Sequence, residues 1–200
     1  MKLRGLYAVT PDGNDSASLV RKVEGALEGG IAALQYRNKA ANPAQRIREA
    51  TALAQLCRVH GVPLIINDDL ALALEIDADG VHLGRDDGDL APARARLPGK
   101  LLGASCYNDA GLARKAVSAG ADYVAFGSVF SSPTKPAAAR ALLSLFNEDL
   151  GVPLCAIGGI TLQNAPQLIA AGADLLAVIS DLFDTPDVKT RAAQYRRLFE

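Results

Sequence analysis

Short apolar runs alternate along this chain with longer stretches whose apolar residues recur at helical spacing. Leu3 to Thr10, Ile31 to Tyr36, Val62 to Ile66 and Gly80 to Leu83 read as strands. So do Leu101 to Ser105, Tyr123 to Phe126, Pro153 to Ile157 and Asp174 to Ile179. The stretches between them read as helices. The first is capped by Ser16 or Ser18, runs to about Leu27 and stops at Gly29-Gly30. The second has Asn42 as N-cap, Pro43 at the first helical position, and Gly61 after its last residue, His60. Leu70 to Ile76 and Leu90 to Leu97 are short helices. Asn108 caps the next, which Gly120 ends, and another covers Ala137 to Leu150. Pro166 predicts a single turn at Thr161 to Gln163 with the helix proper from about Asn164. Asp181 to Phe199 is mostly helical around Pro186.

Eight strand–helix units in 200 residues average about 25 residues each. AGADYVAFG (119–127) echoes AGADLLAVIS (171–180), and GVPLII (61–66) echoes GVPLCAI (151–157). Strands alternating with helices imply a parallel sheet, and eight units can close into an α/β (β/α)8 TIM barrel. An open doubly wound sheet is the competing fold. It usually has fewer strands, and the glycine-rich dinucleotide turn is missing after the first strand, where Thr10-Pro11-Asp12-Gly13 stands. No linker-like stretch divides the chain, so residues 1–200 read as one domain.

Composition narrows the partners. Half the residues are apolar, enough for one buried core. Lys plus Arg is 21 against 22 Asp plus Glu, a balance that gives no reason to expect nucleic acid or a membrane surface. The apolar segment of MKLRGLYAVT is short for a signal-peptide core and is interrupted by Arg4 and Gly5. No run reaches the ~18 apolar residues of a membrane span. Cys57, Cys106 and Cys155 lie far apart, which suits reduced thiols in the cytoplasm. A cysteine nucleophile would want a basic partner, and the only histidines are His60 and His82.

In a barrel the site is built at the C-terminal ends of the strands. The residues there carry the chemistry. The loop Ser131, Ser132, Thr134, Lys135 is dense in hydroxyls and ends in a cation, which suits a phosphate, though such residues also make solvated turns. Gly159 and Ser180 follow strands seven and eight, the usual phosphate loops of this fold, or they are only a tight turn and an N-cap. Asp68 and Asp87 follow neighbouring strands. Each alone reads as a helix cap. Together, beside Arg37, Lys39 and Lys135, they suit a diphosphate with Mg²⁺, which takes few carboxylates and completes its shell with phosphate and water. His82 reads as structural, with no evident partner. Arg94, Arg96, Arg196 and Arg197 read as solvated helix faces.

QYRNK (35–39), INDD (66–69), DGVHLGRDD (79–87), GAS (103–105), GSVFSSPTK (127–135), AIGGI (156–160) and VIS (178–180) each match weakly alone. In this order and spacing the chain resembles the thiamine phosphate synthase family from its first strand to its eighth. The resemblance implies a Mg²⁺-dependent transferase. It joins a hydroxymethylpyrimidine diphosphate to a thiazole phosphate and releases diphosphate. By the same resemblance Gln35 and Asn67 hold the aminopyrimidine and its neighbourhood. Arg37, Lys39 and Lys135 bind diphosphate, Asp68 and Asp87 hold Mg²⁺, and Ser105 contacts the reacting region. Ser132, Thr134, Gly159, Ile179 and Ser180 form the thiazole-phosphate side. The partners implied are small molecules, with homo-oligomerisation left open.

The chain departs from the family pattern at Ser128, where a proline is usual, at Ser132, where threonine is common, and at Arg85, where glutamine is common. The segment after Lys135 also lacks a typical glycine. Three rivals remain. A thiazole tautomerase shares the phosphate loops, tends to lose the diphosphate and metal residues, and relies on a histidine near Ser128. A non-catalytic phosphate-binding protein would leave Asp68, Asp87, Lys39 and Lys135 unexplained. A sugar-phosphate epimerase would want paired acid and base residues.

Overall fold

The computed structural model describes residues 3–13, 15–130 and 143–200. The strands are β1 (Gly5–Val9), β2 (Ala33–Tyr36), β3 (Leu64–Asn67), β4 (Gly80–Leu83), β5 (Leu101–Tyr107), β6 (Tyr123–Gly127), β7 (Leu154–Ile157) and β8 (Leu175–Val178). They close into a parallel barrel in chain order, β8 pairing back onto β1. The helices are α1 (Ser16–Gly29), α2 (Pro43–His60), α3 (Leu70–Glu75), α4 (Leu90–Arg96), α5 (Ala110–Ser118), α6 (Ala165–Ala170), α7 (Ser180–Phe183) and α8 (Val188–Arg197), with a 3₁₀ turn at Ser144–Asn147. The (β/α)8 expectation holds. The stretch expected as a helix over 137–150 lies partly outside the described residues.

Each strand is buried on both faces, which explains the unbroken apolar runs. Tyr7, Val9, Ala33, Ile65, Tyr123, Ala125, Cys155, Leu175 and Ala177 fill the barrel interior. Alternate residues such as Leu6, Leu34, Leu64, Val124 and Leu176 belong to the larger layer between strands and helices. Fully burying one such side chain contributes roughly 1.5–3 kcal/mol, so this layer dominates stability.

The helix caps differ from expectation in two places. Asp15, not Ser16 or Ser18, caps α1 by accepting from the Ser18 amide at 2.9 Å. Asp109, not Asn108, caps α5 by accepting from Gly111 and Leu112 at 2.7 and 3.1 Å. A carboxylate caps as well as a hydroxyl or amide and adds charge at the helix N-terminus. Asn42 and Gly61 cap α2 as expected. The final stretch divides at Pro186 into α7 and α8. Arg94 is not a solvated face residue. Its guanidinium donates to Asp122 at 2.8 Å, to the Lys100 carbonyl at 2.5 Å and to the Leu97 carbonyl, clamping α4 to the start of β5.

Among the described residues no helix is long and apolar enough to cross a membrane. The three cysteines are buried and free. Burial pushes the Cys57 and Cys106 thiols up to about 12, which leaves them poor nucleophiles.

Candidate active site

The mouth at the C-terminal ends of the strands is shaped first by β1 and β2. Thr10 is fully buried, and its hydroxyl donates to the Arg37 carbonyl at 2.7 Å while accepting from the Arg37 amide at 2.8 Å. That exchange fixes where the chain leaves β2. Asp12 then accepts from the Lys39 amide at 2.6 Å and from the Arg37 guanidinium. Slight burial would raise the Asp12 carboxyl, but these two donors outweigh it and lower it. Beneath the loop, Glu49 of α2 is 2 % exposed yet charged. Burial would raise its carboxyl. Donors from Ser16, Gln45, Tyr36 and Asn38, at 2.6 to 3.0 Å, outweigh burial and hold it below the usual range. Sequence reasoning missed both Asp12 and Glu49. The Asn42-Pro43 start of α2, which sets Glu49 under the loop, was the signal available for the second.

Lys39, Asp68 and Asp87 come together. Lys39 Nζ lies 3.0 Å from Asp68 Oδ2. Asp68 has a left-handed backbone, φ 63°, and its amide donates to the His82 carbonyl at 2.9 Å, so β4 holds the turn after β3. Asp87 accepts from the Gly84 amide at 2.8 Å. Partial loss of hydration and a hydrogen bond with Asp68 push the Asp87 carboxyl up. Asp69, by contrast, caps α3 through the Leu72 amide at 2.9 Å. The cap role weighed for these aspartates therefore belongs to Asp69 and not to Asp68.

Two carboxylates close enough to share a proton form a site that favours a cation. The donor set suits Mg²⁺. Among the described residues no cluster of three or more His, Cys, Asp or Glu is present, and Mg²⁺ uses one or two carboxylates with phosphate and water. Asp68 also lines a small cavity of about 60 Å³, with Arg37, Asn38, Lys39 and Asn67. Asn67 ends β3 opposite His82 in the register.

Gln35 and Ser105 sit on inward-facing positions of β2 and β5. A shift in register follows Ser105, where β5 runs on to Tyr107 instead of ending. Gln35 donates to the Tyr7 hydroxyl at 2.8 Å, and Ser105 bonds His82 Nε2 at 2.9 Å. The expectation that His82 lacks a partner is overturned: its Nδ1 also bonds the Tyr123 hydroxyl at 2.9 Å. Sequence could not pair them, because Tyr123 lies 41 residues away on β6.

Gly159, Ile179 and Ser180 line a cavity of about 150 Å³ with Gly158 and Ile157. Gly159 has φ +63°, and a Cβ there would lie 2.6 Å from the Phe130 carbonyl oxygen. Packing of the sixth loop therefore already demands glycine. Asp181, beside Ser180, is tied to α8 by Arg191 and the Tyr195 hydroxyl, each at 2.7 Å. Ser131, Ser132, Thr134 and Lys135 lie outside the described residues.

The model of the family described as thiamine monophosphate synthase matches residues 6–182. The thiamine-phosphate synthase of Aromatoleum aromaticum is 60% identical over 203 aligned positions, covering 100% of this chain and 98% of its own. That of Methylobacillus flagellatus is 56% identical, covering 98% and 96%. The solved thiamine phosphate pyrophosphorylase from Pyrococcus furiosus superposes with a TM-score of 0.86 at 32% identity, covering 99% of this chain and 96% of that one. With its motifs, its barrel and these likenesses running the length of the molecule, the chain belongs to the thiamine monophosphate synthase family.

Proposed function

We propose that the chain is a transferase that joins 4-amino-2-methyl-5-hydroxymethylpyrimidine diphosphate to thiazole phosphate, forming thiamine phosphate and diphosphate. Full-length membership of the family supports the reaction. The convergence of Lys39, Asp68 and Asp87 is the observation that carries the assignment of the diphosphate site.

In this reading Asp68 and Asp87 hold Mg²⁺, and Arg37, Lys39 and Lys135 bind the diphosphate oxygens. Mg²⁺ bound there would offset the charge on the departing diphosphate. Asp12 and Thr10 keep the Arg37–Lys39 loop in place before substrate arrives, so little ordering is left for the bound state. Gln35 and Asn67 hold the aminopyrimidine, and Ser105 contacts the region where the bond breaks. Ser132, Thr134, Gly159, Ile179 and Ser180 receive the thiazole phosphate and the product.

The step is a dissociative substitution. The bond from the pyrimidine methylene carbon to oxygen breaks, and its electron pair leaves with diphosphate. The electron-rich aminopyrimidine stabilises the cationic carbon. The thiazole nitrogen then forms the new bond with its own lone pair, so no general base is required. Orientation of the two substrates supplies much of the remaining acceleration. In this reading residues 1–200 form one domain that works in the cytoplasm on small molecules.

The test is an assay of purified protein with both substrates and Mg²⁺, beside a chelator control. Thiamine phosphate and diphosphate should appear in equal amounts, and only with the metal. Binding of both substrates without product would refute the reading and turn attention to thiazole tautomerisation.

A further inference from the structure

Five side chains form one hydrogen-bonded chain through the barrel interior. Gln35 Nε2 donates to the Tyr7 hydroxyl at 2.8 Å. The Tyr7 and Tyr123 hydroxyls are 2.7 Å apart. Tyr123 meets His82 Nδ1, and His82 Nε2 meets Ser105, both at 2.9 Å. Tyr7 and Tyr123 also pack edge to face, with ring centroids 5.7 Å apart. Gly103 stands opposite Tyr123 in the register, and a Cβ there would enter the Tyr123 ring and the His82 imidazole. The chain runs from one proposed substrate contact, Gln35, to another, Ser105.

Proton counting gives the chain a direction. Each hydroxyl has one proton to donate. Tyr7 accepts from Gln35, so its proton goes to Tyr123. Tyr123 then donates to His82 Nδ1. The neutral ring therefore carries its proton on Nε2 and donates to Ser105. Ser105 is left with its own proton uncommitted within the chain. Turning the Gln35 amide over would reverse every bond, and Ser105 would spend its proton on the imidazole instead. Tyr7, Tyr123 and His82 are all buried in the barrel interior, which favours the neutral form of each.

We propose that Tyr7, Tyr123 and His82 are positioning residues that couple the Gln35 amide to the Ser105 hydroxyl, so that the amide orientation which receives the aminopyrimidine also leaves Ser105 as a donor to the substrate. The catalytic consequence rests on the functional reading above; the proton arrangement does not. A pyrimidine with an amino donor beside a ring-nitrogen acceptor holds a primary amide in one orientation. Substrate binding at Gln35 thereby holds the resting proton direction at Ser105, across the barrel.

The direct test is ¹⁵N NMR of the full chain labelled at histidine, which has only His60 and His82 to assign. His82 should be the Nε2–H tautomer, and Tyr123→Phe should move the Nδ1 resonance toward that of an unbonded nitrogen. An Nδ1–H tautomer in the resting protein would overturn the proposal. This readout needs no turnover, so it stands apart from the fate of the transferase reading. In the assay, Tyr7→Phe keeps the ring and removes the link. It should lower kcat about tenfold, with little change in KM for thiazole phosphate and only a modest loss of melting temperature. Added to Ser105→Ala, Tyr7→Phe should cost almost nothing further. Full additivity of the two losses would contradict the coupling.

Discussion

Arg37 and Lys39 reach the mouth of the barrel already engaged by aspartates, one by Asp12 and the other by Asp68. Lys39 is well exposed, and such pairs contribute little to stability in water. Their value lies in placement. Asp12 holds both the Arg37 guanidinium and the Lys39 amide, so it acts on the loop as a unit. Asp12→Ala should lower kcat/KM for the pyrimidine diphosphate about tenfold, mostly through KM, while the melting temperature hardly moves. An unchanged KM in steady-state kinetics would show that the loop holds its shape without Asp12. Asp87 behaves in the opposite way. Its carboxyl is pushed up by partial loss of hydration and by the facing Asp68, so its charge opposes folding when no cation is bound. Asp87→Ala should cripple turnover, by about 100-fold, yet melt no lower than the parent in metal-free buffer. A clear loss of stability in that variant would mean that its bond to the Gly84 amide matters more than the repulsion.

At the scale of elements, Glu49 ties α1, α2 and the end of β2 together through four donors, and nothing about a lone glutamate in a helix announces that role. Glu49→Gln removes the charge and sets an amide against other donors, so it should cost about 2–4 kcal/mol and roughly 5–10 °C in melting temperature. The pH dependence follows from the depressed carboxyl. The contribution of Glu49 is fully present above the unfolded glutamate value of about 4.3 and is lost as pH falls through the lower folded value. The gap between parent and variant in thermal melts should therefore narrow below about pH 4. A gap that stayed constant with pH would contradict a buried charge. Gly103 makes a comparable demand. A Cβ added there would have no room beside Tyr123, so Gly103→Ala should destabilise by about 1–3 kcal/mol and disturb the interior chain. Strand and helix order was legible from periodicity, because strands buried on both faces read as apolar runs and Asn42, Pro43 and Gly61 punctuate α2 plainly. The caps of α1 and α5 were misplaced by one to three residues, because Asp15 and Asp109 compete with neighbouring Ser and Asn for the same task.

For the whole molecule, closure of the barrel is what brings the site together. Residues 35–39, 67–69, 82–87 and 105 are distant in sequence, but eight strands in chain order place them on neighbouring staves. The positions at strand ends were therefore legible once the fold was known, and the motif order carried the family. The partners across the interior were not. Tyr7, Tyr123 and His82 look like ordinary strand residues, and only the register sets their hydroxyls and ring nitrogens within bonding distance. Gly159 teaches the same caution, since contact with the sixth loop accounts for it without any ligand.

The proposed chemistry requires Asp68 and Asp87 to act with a metal on diphosphate. The most direct measurement is calorimetric binding of inorganic diphosphate, with and without Mg²⁺, to the parent and to Asp68→Asn with Asp87→Asn. In the parent, Mg²⁺ should tighten binding at least about tenfold, a difference of roughly 1.4 kcal/mol, and in the double variant that gain should vanish. Equal diphosphate affinity in the parent with and without Mg²⁺, or an undiminished gain in the double variant, would contradict it.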